Sequence, residues 1–194
     1  MREFIYYSSK ARTSGNFNEE DLRKAGRMDI VCNVIISVFF LSHKLREDIR
    51  LHLLFMGQPN PPMHLIFESD KNIPISKKDV AGLIKRMLYK CKPGKTMVFP
   101  GCFIEKKSFQ HLLQELEADG KKILILDRKG EDIRKIENNE LKNAVFVIGD
   151  EEGLPKKETK RYRGKVSIGR ETYFASQVVT IINNELDRRN DEID

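Results

Sequence analysis

The chain has no tryptophan, three cysteines and four histidines among its 194 residues. Cys32, Cys91 and Cys102 form no Cys-x-x-Cys pair and stand near no histidine at zinc spacing, so neither a metal cage nor a disulfide framework is expected. Cys91 and Cys102 read as packing residues in a reducing compartment. The most apolar stretch, Ile30–Leu41, contains Asn33 and Ser37 and falls short of the roughly 20 residues that cross a bilayer. Met1-Arg-Glu-Phe4 lacks the layout of a signal peptide, which points to a soluble, cytoplasmic protein. No Gly-x-Gly-x-x-Gly occurs, which disfavours a Rossmann-type dinucleotide or methyltransferase site. Lys92-Pro-Gly-Lys-Thr96 has the end of a P-loop, but Tyr89 occupies the earlier glycine position and the segment runs from helix into strand, so it reads as a turn. Without a Gly-x-Ser-x-Gly elbow or a His-Glu-x-x-His pair, hydrolase and metalloenzyme readings have no support.

What the chain does have is charge, apolar periodicity and well-placed glycines. Charged residues make up 33% of it and the net charge is +6, unevenly spread. Lys156, Lys157, Lys160, Arg161, Arg163 and Lys165 crowd one segment, either as a solvated surface or as a site that neutralises phosphates. Short β-like runs recur at Glu3–Tyr7, Asp48–Met56, His64–Glu68, Met97–Pro100, Ile123–Leu126, Val145–Ile148 and Lys165–Ile168. Helical spacing separates most of them. Val80, Leu83, Ile84, Met87 and Leu88 follow a Ser76-x-x-Asp79 start, and Phe109, Leu112, Leu113 and Leu116 follow Ser108. Tyr173–Leu186 is apolar on one side, whereas Arg27–Leu41 is apolar nearly all round and must be buried on two sides, within one chain or against a second copy.

This alternation predicts an α/β fold: one domain over residues 1–194, with a mostly parallel sheet and helices on both faces. Such sheets bind ligands at the carboxyl ends of their strands. Three segments lie there: Asp127–Gly130, Gly149–Gly153 and Gly169–Tyr173. Gly149 and Gly169 follow strands directly, either as plain turns or as places where bare main chain faces a ligand. Gln58-Pro-Asn-Pro-Pro62 reads as a structural turn between adjacent strands.

An ordered set of short motifs runs from end to end. It comprises Ala11-Arg-Thr-Ser-Gly15, Ala25-Gly-Arg-Met-Asp29, Leu41-Ser-His-Lys-Leu-Arg-Glu-Asp48, Gly57-Gln-Pro-Asn-Pro-Pro62, Phe146-Val-Ile-Gly-Asp150 with Gly153, Val166-Ser-Ile168, Ala175 and Asn184-x-Leu-Asp187. In this set the chain resembles SPOUT-class RNA methyltransferases, and among them the archaeal tRNA pseudouridine N1-methyltransferases. It departs from the family pattern at Glu151 and Asn183, where histidine is frequent, and at Val178, where cysteine is frequent.

The resemblance implies a C-terminal trefoil knot, a homodimer whose active sites use both chains, S-adenosyl-L-methionine as cofactor and tRNA as partner, with no metal and no membrane. The implied reaction methylates N1 of pseudouridine at T-loop position 54. The cofactor site falls on Leu126, Ile148, Gly149, Gly153, Leu154, Ser167, Ile168, Gly169, Tyr173, Ala175 and Val178, and a carboxylate at 127, 150 or 152 is available to its polar parts. For Tyr173, stacking on adenine or the target base competes with a core or interface role. Asp29 and Asp150 are the candidate proton acceptors, although Asp29 equally suits a helix cap. Arg27 is a candidate to steady charge on the base, and Arg46, Lys156, Lys157, Lys160, Arg161 and Arg163 are the candidate RNA contacts. Two other readings remain open: a ribosomal-RNA pseudouridine N1-methyltransferase, and a catalytically silent RNA-binding protein of the same fold.

Overall fold

Residues 1–191 are described in the computed structural model of the chain. The first half runs β1 (Arg2–Ser8), α1 (Met28–Phe39), β2 (Ile49–Phe55), β3 (Met63–Glu68), α2 (Val80–Tyr89), β4 (Thr96–Phe99) and β5 (Cys102–Glu105). The second half runs α3 (Phe109–Ala118), β6 (Lys122–Asp132), a 3-10 turn at Ile133–Lys135, α4 (Asn138–Lys142), β7 (Ala144–Gly149), α5 (Lys156–Thr159), β8 (Lys165–Ser167) and α6 (Ala175–Asp191). The strands form one eight-stranded sheet in the order β4-β5-β3-β2-β1-β7-β6-β8. Neighbours from β2 to β8 pair in parallel, while β3, β5 and β4 join by antiparallel pairs. The expected α/β class and mostly parallel sheet are therefore present.

Register fixes where the loops emerge. Ser8 lies opposite Phe55, Tyr7 opposite Gly149, Phe55 opposite Met63 and His64 opposite Glu105. The carboxyl ends of β1, β2, β5 and β7 and the starts of β3 and β4 thus share one edge of the sheet, as a parallel sheet extended by hairpins requires.

Alternating side chains send the two strand faces to different helices. Phe4, Tyr6, Leu51, Leu53, Phe146 and Ile148 pack in the main core with α1, α2 and α6, while Ile5, Tyr7, Leu54, Val145 and Val147 pack with Phe109, Leu112, Leu113 and Leu116 of α3. The start of α3 is capped as its sequence suggests, with Ser108 Oγ accepting from the His111 amide at 3.2 Å. The start of α2 is not: Asp79 occupies the N-cap position without a capping bond, and its carboxylate takes the Arg86 guanidinium at 2.7 Å. α1 has Val31, Val34, Ile35, Val38 and Phe39 fully buried, covered by α6, α2 and β2. Ile30, Ile36 and Phe40 at its rim are only partly buried, so most but not all of its apolar circumference is covered inside one chain.

A buried polar chain crosses the α3 side of the sheet. Glu3 of β1 meets His52 Nε2 at 3.0 Å, His52 Nδ1 meets His64 Nε2 at 2.9 Å, and His64 Nδ1 meets Glu105 at 3.0 Å. Arg50 and Lys121 flank Glu3 at 3.2 and 2.9 Å, and Lys107 flanks Glu105 at 2.9 Å. Both carboxylates of this network, Glu3 and Glu105, thus have a cation beside them, the condition under which buried charge is tolerated.

Asp127–Gly130 departs from the expected loop: it lies within β6, whose pairing with β8 shifts register between Leu126 and Glu131. Among the described residues no helix is long and apolar enough to span a membrane.

Candidate active site

The site is built where β7 ends beside β1. Gly149 does not adopt a left-handed conformation. Its value is close approach: a Cβ there would lie 2.9 Å from the Gly153 carbonyl carbon and 3.1 Å from Leu154. The chain after it folds into a tight turn in which the Gly153 amide donates to the Asp150 carbonyl at 2.9 Å and the Glu152 amide to Asp150 Oδ1 at 3.0 Å. Asp150 Oδ2 accepts from the Ser9 amide at 2.6 Å and the Ser9 hydroxyl at 2.7 Å, tying this turn to the loop after β1. Gly153 (φ 78°) and Gly169 (φ 140°) are the residues that need conformational freedom, and a Cβ on either would enter open space. Ser167 Oγ accepts from the Gly169 amide at 3.2 Å, holding the second turn.

These turns enclose a cavity of about 660 Å³ lined by Leu126, Ile148, Gly149, Gly153, Leu154, Tyr173, Ala175 and Val178. An adjoining lobe of about 520 Å³ adds Ser167, Ile168 and Gly169. All the residues expected to hold the cofactor are therefore brought together. A third lobe, about 320 Å³, shares Gly149, Asp150, Tyr173 and Ala175 with the first and is walled by Tyr6, Arg27, Ile30, Glu151 and Phe174. Tyr173 and Phe174 are exposed at its mouth.

Arg27 reaches this lobe through strained backbone. It sits at the N-cap of α1 with φ 63°, after Gly26 at φ 72°, a left-handed pair that an arginine enters at a cost of roughly 1–2 kcal/mol. Asp29 compensates, accepting from Arg27 Nε and Nη2 at 3.1 Å each. That bidentate contact, more than burial opposes it, holds the Asp29 carboxyl below the usual carboxylate range. Asp29 is not among the lobe's lining residues, whereas Asp150 is. Glu151 stands where the family pattern favours histidine and is ion-paired with Lys10 at 3.0 Å and Arg27 at 3.5 Å. Burial foremost, and then the charge of Asp150, raises the Tyr6 hydroxyl well above its ordinary pKa, so it faces the lobe as a neutral donor.

The other expected positions divide. Lys156 and Lys160 line the large cavity. Arg161 turns to Glu117 at 2.9 Å, and Lys165 to Asp127 at 2.7 Å, which occupies that carboxylate. Lys157 and Arg163 are exposed and line none of these lobes. Arg46 is not brought to the site: both of its terminal nitrogens engage Asp187 at 2.8 and 2.7 Å, beside the start of β2 at the opposite sheet edge. Asn183, in place of the expected histidine, is buried and accepts from Arg2 at 3.2 Å. Tyr6, Ser9 and Lys10 escaped the sequence reading because only sheet order places β1 against β7.

The arrangement predicts a clean substitution test. Gly149→Ala should weaken binding of S-adenosylmethionine by roughly tenfold, about 1.4 kcal/mol, because Gly153 and Leu154 must give way. Gly120→Ala, at φ 75° in open space, should cost stability alone. Calorimetric titration of both variants checks this, and equal affinities would remove the close-approach explanation.

A family model described as "Putative SAM-dependent RNA methyltransferase" matches residues 1–190. The chain belongs to that family. It is 38% identical over 97% of its length, and 96% of the relative's, to a protein of Methanococcoides burtonii named tRNA (pseudouridine(54)-N(1))-methyltransferase. A relative of the same name from Methanocaldococcus jannaschii is 32% identical, covering 97% of this chain and 98% of that one. Among solved structures, Archaeoglobus fulgidus Nep1 bound to S-adenosylhomocysteine superposes with a TM-score of 0.68 over 97% of this chain and 98% of that one. At 13% identity that likeness concerns the fold. The cofactor of this family is S-adenosylmethionine, and the glycine-walled cavity fits it by leaving main chain uncovered where a bulky adenosyl group must lie.

Proposed function

We propose that this chain methylates N1 of pseudouridine 54 in the T-loop of tRNA. The observation that carries the proposal is the meeting of two lobes at Gly149, Asp150 and Tyr173: one suited to the cofactor, and one of a size for a nucleobase, walled by the Tyr6 and Phe174 rings and carrying Arg27, Asp150 and Glu151. The relatives at 32–38% identity that bear this activity in their names support it over ribosomal RNA as target and over a silent RNA-binding role.

S-adenosylmethionine supplies an electrophilic methyl group; the base nitrogen forms the new N–C bond as the C–S bond breaks, and the N1 proton must leave. Most of the acceleration comes from alignment of two bound partners. Asp150 lines both lobes and receives the proton. Ser9 fixes its carboxylate, and Asp29 positions Arg27, whose guanidinium offsets negative charge on the uracil carbonyls. Lys156 and Lys160 at the cavity rim contact RNA phosphates, and Tyr173 offers a stacking face.

The C-terminal trefoil knot belongs to the same proposal. Its support is the likeness of fold to Archaeoglobus fulgidus Nep1 over 97% of this chain. A homodimer sharing its active sites, folded as one domain per chain, completes it, with the exposed Phe174 at the lobe's mouth as a contact for the second copy. With methyl-labelled cofactor and two T-arm hairpins differing only in uridine or pseudouridine at position 54, label should enter the pseudouridine hairpin alone. Equal labelling would overturn the substrate assignment.

A further inference from the structure

The lobes occupy only the β1-β7-β6-β8 half of the carboxyl edge, and the opposite half carries positive charge that no carboxylate answers. Lys90 and Lys92 follow α2, Lys95 precedes β4, and Lys106 follows β5, so register places all four on the same edge as the active site. Among the described residues none of them forms an ion pair, in contrast to their neighbours: Lys85 is paired with Glu19, Arg86 with Asp79 and Lys107 with Glu105 and Glu115. Lys106 instead donates to the Asn60 carbonyl of the β2–β3 turn. Between the two halves stands Arg12, on the loop after β1, whose buried Nε has no hydrogen-bond partner.

Aromatic faces accompany the cations. Tyr89 is 63% exposed and packs at Gly15 of the Arg12 loop. Lys90 lies over the Phe99 ring at 4.8 Å and Lys95 over Phe103 at 4.8 Å. Unpaired cations, with the Tyr89 ring exposed beside them and the half-buried Phe99 and Phe103 rings lying beneath Lys90 and Lys95, fit a phosphate backbone with an unstacked base at Tyr89. An acidic protein surface would be expected to meet ion pairs instead of stacking faces.

We infer that Arg12, Lys92, Lys95 and Lys106 form a second RNA-docking surface that holds a part of the tRNA outside the T-loop. β4 and β7 are separated by five intervals in the sheet order, which at about 4.8 Å per interval is roughly 24 Å. An RNA engaged at the β7 end therefore reaches these residues only if it extends well beyond the target nucleotide. The inference rests on tRNA being the substrate, and binding tests it independently of methyl transfer.

The experiment compares a Lys92→Gln, Lys95→Gln, Lys106→Gln triple variant with the unaltered protein, using an unmodified full-length tRNA transcript and the isolated T-arm hairpin across a salt series. For the tRNA, Kd should rise roughly tenfold at moderate salt and the slope of log K against log salt should flatten by about two to three. For the hairpin, Kd should stay unchanged. An unaltered tRNA affinity, or equal weakening for both RNAs, would overturn the inference. Amine-labelling of the unaltered protein gives a second readout that needs no variant. Lys92 and Lys95 should be protected by tRNA and remain reactive with the hairpin, and reactivity in both cases counts against the surface. Failure of the methyl-transfer assay with intact differential binding would displace the proposed reaction and leave this surface standing.

Discussion

Asp150→Asn is expected to lower kcat for pseudouridine methylation by about 10²–10⁴ while leaving the affinity for S-adenosylmethionine within a few-fold, the magnitude typical of losing a positioned proton acceptor. The substitution isolates basicity from architecture. The Ser9 amide and hydroxyl both donate to Asp150 Oδ2 and the Glu152 amide to Oδ1. An asparagine retains one acceptor oxygen, so most of the turn after β7 remains pinned. Asp29→Asn tests the rival assignment. The Asp29 carboxyl is held low by Arg27 and does not line the base lobe, so its loss should act through Arg27 and disturb kcat less. Rates measured at saturating cofactor decide between them. A normal kcat in Asp150→Asn would move the proton to another acceptor.

Much of the fold was legible because burial writes itself into periodicity. Seven of the eight strands, α1, α2, α3 and α6 announce themselves by spacing of 2 or 3.6 residues. β5 did not: Pro100 and Gly101 end the preceding run, and the glycine is needed at φ 69° because a Cβ there would meet the Glu68 carbonyl at 2.3 Å. A two-residue hairpin turn therefore read as the end of a strand and not as the middle of a pair. In the site, the cofactor lobe was legible since strand-end glycines and the apolar residues beside them are local signals. The base lobe was not, since Tyr6 and Ser9 reach Gly149 and Asp150 only through the β1-β7 pairing, and Ile30 only through the packing of α1. The pairing of Arg46 was hidden for a related reason: an arginine in a family motif carries no mark that its partner, Asp187, lies 141 positions away. Strand-end position left Gly149 as either a plain turn or a place of close main-chain approach, and the structure shows close packing against Gly153 and Leu154.

Glu3→Ala is expected to destabilise the fold by about 3–5 kcal/mol, as the loss of one partner from a buried ionic network does. Glu3 is fully buried and is the carboxylate shared by Arg50, His52 and Lys121, all of which would be left without it. Burial raises the Glu3 pKa, but hydrogen bonds from His52 and Lys121 overcome it and hold the group down to about 2. Its contribution is therefore complete above the unfolded carboxyl value of 4.5 and is lost as pH falls towards 2. The histidines act at higher pH. Each spends one ring nitrogen on a carboxylate, so the 2.9 Å contact between His52 and His64 is a hydrogen bond only when the chain of four groups holds a third proton. A further proton places two positive charges side by side in the interior. Burial, and then the charge of His52, accordingly depress His64 to about 4. The unfolded chain takes up that proton near pH 6.5 and the folded chain only near pH 4, so stability declines as pH drops through this interval, by on the order of 3 kcal/mol. Urea titrations between pH 7 and pH 4 should follow that decline, and His64→Phe should flatten it. A stability that holds level from pH 6.5 to 4 would mean that the relay exchanges no proton on folding.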